Sequence, residues 1–207
     1  MFSKFLNIEE EKQQRILDAA MKEFAQKGFE KASTNEIIKE ARISKGLLFH
    51  YFNNKKTLYL FLYDYCLELC MNEFYKKINM DEKDIFIKLR QCLHIKLELL
   101  KKYPEIFGFV EVSYRERLYE IKSDLQLINE SFLVSSYAKI FQNIDTSKFK
   151  EGLDIEKCVK IIIWAIDGFG AEAMKNEKLL TSNRESYEKA FVEADVYMEV
   201  LKNCFYK

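Results

Sequence analysis

Glycine and proline are nearly missing, with 6 Gly and 1 Pro in 207 residues. An average chain carries about 12% of the two together. A many-stranded sheet needs Gly, Pro and Asn-Gly turns every few residues. Their scarcity excludes sandwiches, barrels and doubly wound folds and leaves an all-α chain of long helices. Long apolar runs are missing too. The longest, Leu58–Tyr63 and Ile161–Ile166, have six residues each, whereas a membrane span needs about 20. No membrane partner is expected. Cysteines number 5, an odd count without a compact framework, and the opening MFSKFLNIEEEK has no signal-like apolar stretch. These features point to a reduced, cytoplasmic protein with buried thiols. Gly-x-Ser-x-Gly, P-loop and dinucleotide fingerprints are absent and histidines number 2. An enzyme is therefore not expected, and neither is a cofactor or a bound metal.

Net charge of one sign is absent as well, because 33 Lys+Arg balance 33 Asp+Glu. The balance conceals an asymmetry. Residues 1–56 hold 11 basic against 8 acidic side chains, and residues 57–207 hold 22 against 25. The stretch 31–56 carries six basic against two acidic residues. A short basic end on an acidic body suits a polyanionic partner, although a solvated face looks the same.

What is present is helical periodicity. Ile16, Ala20 and Phe24 fall at steps of four, with Leu17 and Met21 beside them, so residues 9–27 read as a helix. Gly28 is placed to end it as a C-terminal cap. Ser33-Thr34-Asn35-Glu36 has the capping-box pattern, and a second helix should begin near Thr34. Arg42-Ile43 makes a tight turn. Ser44 can cap a third helix, 45–52, which Asn53-Asn54 breaks. Further helices are predicted over 55–78, 82–102, 104–116, 119–144, 155–175 and 184–204, about nine in all. Pro104 falls at the first turn of one of them.

Two short helices joined by a tight turn, after a longer one, describe a helix-turn-helix. The second short helix of that device enters the major groove with its N-terminal residues on the base edges. Ile37, Ala41, Ile43, Leu48 and Phe52 have spacings that would seal a three-helix core. Lys45 can reach a guanine edge or a phosphate. Gly46 lets the backbone approach DNA closely. Ser44, His50, Tyr51 and Lys55 offer donors to phosphates, and Thr34 opens a helix whose first amides can face one.

The ordered string Arg15-Ile16-Leu17-Asp18-Ala19-Ala20, Phe24-Ala25-Gln26-Lys27-Gly28-Phe29, Ser33-Thr34-Asn35-Glu36-Ile37, Ser44-Lys45-Gly46, Leu48-Phe49-His50-Tyr51-Phe52 and Asn54-Lys55-Lys56-Thr57-Leu58 resembles the DNA-binding domain of the TetR (tetracycline-repressor-like) regulators. The resemblance covers residues 10–62. It implies an N-terminal three-helix helix-turn-helix domain, 1–56, and a larger helical ligand-binding and dimerisation domain, 57–207. By resemblance Thr34, Tyr51 and Lys55 are phosphate contacts, Lys45 and Gly46 are base contacts, and His50 serves a phosphate or the groove wall. Three positions depart from the pattern. Arg42 stands where the turn usually has Gly, and is itself a further candidate for a phosphate contact. Leu47 replaces a small polar residue and could meet only a thymine methyl. Phe49 replaces Tyr and removes a hydroxyl.

Residues 57–207 hold 11 Phe, 11 Tyr and 1 Trp. Most should be core. The resemblance implies a small-molecule pocket among the body helices, and helix position selects Phe61, Tyr65, Phe86, His94, Phe107, Tyr114, Tyr137 and Trp164 as its candidate lining. Little charge lies on the inner faces, which suits an apolar or aromatic effector. The last two helices look built for a homodimer. Ile161–Ile166 is apolar around more of a helix than one intramolecular face requires. Ile162, Ile166, Gly168, Phe191, Ala194, Met198 and Leu201 are the expected interface. A two-fold dimer would present two recognition helices to a palindromic operator, and an effector would release them. The alternative is a metal- or redox-responsive regulator. Cys66 and Cys70 are one helical turn apart, a usable ligand spacing.

Overall fold

A computed structural model describes residues 2–116, 118–175 and 184–207 of the chain. Its α-helices run α1 Ser3–Leu6, α2 Glu10–Lys31, α3 Thr34–Ala41, α4 Lys45–Phe52, α5 Lys55–Tyr75, α6 Ile85–Lys102, α7 Pro104–Tyr114, α8 Tyr119–Ile140, α9 Ile155–Lys175 and α10 Arg184–Phe205. Among the described residues the only β-pairing is an isolated antiparallel bridge between Phe149 and Tyr206. None of their helices is long and apolar enough to cross a membrane.

Nine of these helices lie where periodicity places them, and α1 is additional. A helix of four residues is too short to show a period, but its Phe5 is fully buried. The Phe5 ring meets those of Phe52 at 4.8 Å, Phe61 at 5.4 Å and Tyr51 at 5.7 Å. Burial of that one side chain is worth about 2–3 kcal/mol.

Two local expectations have different outcomes. Gly28 interrupts the helix where expected. It takes φ 68°, ψ 178°, outside the helical region, and a further turn reaches Lys31 beyond the kink. A Cβ there would stand 3.7 Å from Glu116 Oε2, an ordinary contact, so the positive φ rather than space requires glycine. The capping box at Ser33 does not form, since Ser33 makes no side-chain cap bond. Its N–H donates instead to Glu23 Oε1 at 2.8 Å, and Lys27 Nζ lies 2.9 Å from the same oxygen. Burial works to raise the Glu23 pKa, but the Ser33 N–H and Lys27 outweigh it and hold the carboxyl below its usual range. A distant carboxylate on α2 thus does what Glu36 was expected to do.

Packing divides the chain into two units. The first comprises residues 1–76 and 99–136, and the second 77–98 and 137–207. The helix-turn-helix therefore packs in one unit with all of α5 and α7. Ile16, Phe24, Ile37, Leu48, Phe52, Leu58, Leu62, Phe109 and Ile121 share its core. Tyr59 joins them through edge contacts with Phe24 and Phe109, and its hydroxyl lies 2.7 Å from Ser113 Oγ. In the second unit Ile85, Phe86, Leu89, Cys158, Ile162, Ile166, Ala194 and Met198 form the core. Among the described residues its one fully buried cation is Lys88. Lys88 Nζ donates to the carbonyls of Met80 at 3.2 Å and Ile140 at 2.9 Å. An ammonium satisfies a helix C-terminus well, because the last carbonyls lack amide partners.

Candidate nucleic-acid interface

The helix-turn-helix forms because each joint has a local cause. Arg42 adopts the left-handed conformation, φ 54°, ψ 49°. For a residue with a side chain this costs about 1–2 kcal/mol. It lets Ile43 N–H reach back to Ile38 O at 3.1 Å and close α3. Ser44 then caps α4, its Oγ accepting from Leu47 N–H at 3.2 Å. The Ser44 hydroxyl proton stays free for a phosphate. Asn53 takes φ 59° and ends α4, and Asn54 Oδ1 accepts from Thr57 N–H at 2.8 Å to start α5.

This geometry separates two faces of α4. Leu48 and Phe52 are buried, whereas Ser44, Lys45, Gly46 and His50 are exposed. Nothing lies within 4 Å of where a Gly46 Cβ would be, so a partner can approach the backbone there. Arg42 is exposed and Thr34 half-buried at the start of α3. Lys39, missed by motif reasoning, is exposed on the same device. Lys39, Arg42 and Lys45 make no ion pair within 4 Å among the described residues, while Glu40 is engaged by Lys22 at 2.9 Å. Lys22 donates to Glu40 and holds its carboxyl below the usual range. The result is a positive surface whose cations remain available to a polyanion.

Several predicted contacts sit differently. Lys55 Nζ donates to Glu30 O at 3.0 Å and Ala32 O at 3.1 Å, and lies 4.8 Å from the centre of the Phe29 ring. Its ammonium closes the end of α2, a structural role beside the phosphate contact expected of it. The Tyr51 ring is buried against Phe5, but its hydroxyl makes no hydrogen bond among the described residues. Leu47 packs against the first unit's core, which occupies the side chain expected to meet a thymine methyl. Phe49 is half-buried. Lys55→Met is expected to destabilise the protein by about 1–2 kcal/mol through two lost hydrogen bonds. Lys45→Ala, on an exposed side chain, should stay within about 0.5 kcal/mol. Urea unfolding of the two variants side by side reads the difference.

The candidate pocket residues divide between the units. Phe61 packs on Phe2, Phe5 and Phe52, with Phe2 at 4.5 Å. The unforeseen α1 covers the side of α5 that was expected to face a ligand. Tyr65 stacks beside Phe61 and is half-buried, as is Phe107. Phe86 is core, edge-on to Tyr206 at 5.0 Å. His94 is exposed and tilted against Phe191 at 5.2 Å. Tyr137 is half-buried and donates to Asp167. Trp164 is 67% exposed and is not among the core of its unit. The Tyr114 side chain lies outside the described residues.

The expected interface needs a correction. Ile162, Ile166, Ala194 and Met198 are 0%, 5%, 1% and 1% exposed within one chain. They join α9 to α10 and have no area left for a second subunit. Phe191 and Leu201 are half-buried, and Gly168 is exposed with open space around it. Among the described residues of α9 and α10, the large apolar side chains left exposed are Ile161 and Trp164 on α9 and Val192, Val196, Tyr197 and Val200 on α10.

Cys66 and Cys70 offer little thiolate chemistry. Burial pushes the Cys66 thiol up to about 12 and the Cys70 thiol to about 11. No group of three or more metal-ligating side chains occurs among the described residues.

Residues 16–61 match the profile of the bacterial regulatory proteins of the tetR family. A fatty acid metabolism regulator protein of Bacillus subtilis (strain 168) is 26% identical over 164 residues, 75% of this chain and 80% of the relative. The crystal structure of a tetR family transcription regulator from Shewanella sp. PV-4 superposes with TM-score 0.67 at 19% identity, over 95% of this chain and 98% of that one. The transcriptional regulator FadR from Bacillus subtilis, in complex with stearoyl-CoA, superposes with TM-score 0.60 at 18% identity, over 91% and 96%. At those identities the two structural likenesses speak for the fold.

Proposed function

Because the chain belongs to the tetR family of DNA-binding transcriptional regulators, we propose that it is a repressor that holds a palindromic operator as a homodimer and lets go when a small apolar effector binds. The observation that carries the DNA half of this reading is the exposed N-terminal turn of α4. Ser44, Lys45 and Gly46 stand clear of the core, beside unpaired Lys39 and Arg42. A groove-entering helix needs that arrangement: reading groups at its N-terminus and cations around it.

Dimerisation is supported by the uncovered stripe of Val192, Val196 and Val200, at steps of four on α10, and by Trp164 and Ile161 on α9. An apolar patch of this kind on a lone chain marks a contact surface. A two-fold contact would set two recognition helices about 34–36 Å apart, one turn of DNA. For the effector, an apolar body is supported by the relative named for fatty acid metabolism and by the neighbour that holds stearoyl-CoA. Release follows from linkage. An effector that prefers a dimer with the wrong spacing lowers DNA affinity by the ratio of its affinities for the two states.

Selection from a random duplex DNA library tests the reading. The parent should enrich a two-fold symmetric sequence. Lys45→Ala should weaken binding to it by about 1–3 kcal/mol if the side chain reaches a base. Failure of the parent to enrich any sequence across a range of salt concentrations would overturn the proposal.

A further inference from the structure

The bend in α2 sends a backbone amide out of the helix. Phe29 follows Gly28, whose φ 68°, ψ 178° lies outside the helical region. The Phe29 N–H donates to Glu116 Oε2 at 3.3 Å, across 87 positions of the chain. The other carboxylate oxygen of Glu116 accepts from Leu118 N–H at 3.2 Å. Glu116 is half-buried and stands in the turn between α7 and α8. Its own N–H donates to Ser113 O at 3.2 Å, and the Ser113 hydroxyl lies 2.7 Å from that of Tyr59 on α5. The carboxylate is therefore tied at both oxygens and through its backbone. α2, α5, α7 and Glu116 all belong to the first unit.

The segment that Glu116 holds is short and leads straight into the helix-turn-helix. Residues 29–32 follow the bend, and Ser33 is the N-cap residue of α3. Other groups hold it too. The Phe29 ring stands edge-on to Tyr59 at 5.2 Å, Lys55 Nζ donates to the Glu30 and Ala32 carbonyls, and Glu23 accepts from Ser33 N–H. Glu23 lies on α2, and Lys55 and Tyr59 on α5, the helices that flank the helix-turn-helix in the chain. Of these groups Glu116 alone comes from beyond α5. An anion gains nothing from a phosphate, so a favourable effect of Glu116 on operator binding must come through position.

We infer that Glu116 is a positioning residue: by holding the Phe29 amide it fixes the angle at which the tail of α2 delivers α3 and α4, and so sets how strictly the protein reads the spacing of two operator half-sites. A joint that is ordered before binding does not have to be ordered by the DNA. Two recognition helices match two half-sites one turn apart only if each is held at a fixed angle. A loose joint in each subunit lets them follow a wrongly spaced pair. Charge and position predict opposite signs here. Loss of an anion alone would tighten binding to a polyanion, whereas loss of the hold weakens it. This inference rests on the homodimeric operator reading above and assigns one residue a part in it.

Three substitutions separate reach from charge. Glu116→Gln keeps the reach and drops the charge, Glu116→Asp keeps the charge and loses a methylene of reach, and Glu116→Ala loses both. Gel shift reads them on the operator selected by the parent and on the same operator with one base pair inserted between the half-sites. The parent should lose at least about tenfold in affinity on the lengthened site, and Glu116→Gln should match it. Glu116→Asp and Glu116→Ala should bind the selected operator about three- to tenfold more weakly and lose at most about threefold more on the lengthened one. Tighter binding by Glu116→Ala, a Gln variant that behaves like the Ala variant, or a parental spacing preference in the Asp and Ala variants would overturn the inference. Hydrogen exchange without DNA reads the hold by itself. The Phe29 amide should exchange at least about tenfold faster in Glu116→Asp and Glu116→Ala than in the parent or Glu116→Gln. Unchanged exchange overturns the hold, whereas a parent that selects no operator overturns the operator reading. Circular dichroism checks the fold, and the Asp variant carries the test should the Ala variant not fold.

Discussion

Replacing Trp164 and Val196 together by arginine is expected to leave a folded monomer that has lost most of its hold on DNA. Both side chains are exposed in the single chain, 67% and 58%, so their loss opens no cavity. Exposed substitutions of this kind move stability by about 0.5 kcal/mol or less. The consequence falls on association. A two-fold interface places each substitution in it twice, and a cation forced into an apolar contact without a partner is costly. Loss of a central tryptophan anchor alone is worth about 2–4 kcal/mol. The dimer should therefore dissociate at least about a thousandfold more readily. A monomer holds one half-site and forgoes the second, tethered contact, which is worth about 10²–10⁴ in affinity. Sedimentation velocity reads the first effect and gel shift the second. A variant that remains dimeric would place the subunit contact on another face.

Phe5→Ala is expected to be the most damaging single truncation near the DNA face. Phe5 is fully buried among Phe52, Phe61 and Tyr51, and removing such a ring costs about 3–5 kcal/mol. For a chain of this size that corresponds to a fall in Tm of about 10 °C. Tyr51 and Phe52 are the last residues but one and the last of α4. Loss of the ring loosens the recognition helix from its C-terminal end, and operator affinity should fall even below the melting range. Leu6→Ala is the control. Leu6 is 55% exposed and its truncation should change stability by about 0.5 kcal/mol or less. Thermal melts of the two variants decide the matter. Equal Tm values would mean that α1 is not docked.

The two predictions differ in how far the sequence foretold them. The apolar surplus on 155–175 was legible, because Ile161–Ile166 offers more apolar positions than one face can use. Which positions face outward was not. Ile162 and Trp164 are both apolar, and only the register of α9 against α10 buries the first and leaves the second in water. α1 left no legible trace, since four residues carry no period and its value lies in contact with residues about 50 positions away.

The sequence by itself determined what depends on neighbours within a turn or two: nine of the helices, the turn at Arg42, the Ser44 cap, and the helix-turn-helix with its exposed Lys45. Those are set by i, i+3 and i+4 relations and by backbone preferences, which are local. Tertiary structure alone decided the fate of side chains whose chemistry is identical. Lys55 closes the end of α2 while Lys45 stays free. Lys88 is sealed by the carbonyls of Met80 and Ile140, while Lys96, eight residues on, is exposed. An ammonium goes where an acceptor meets it, and those acceptors arrive from distant parts of the chain.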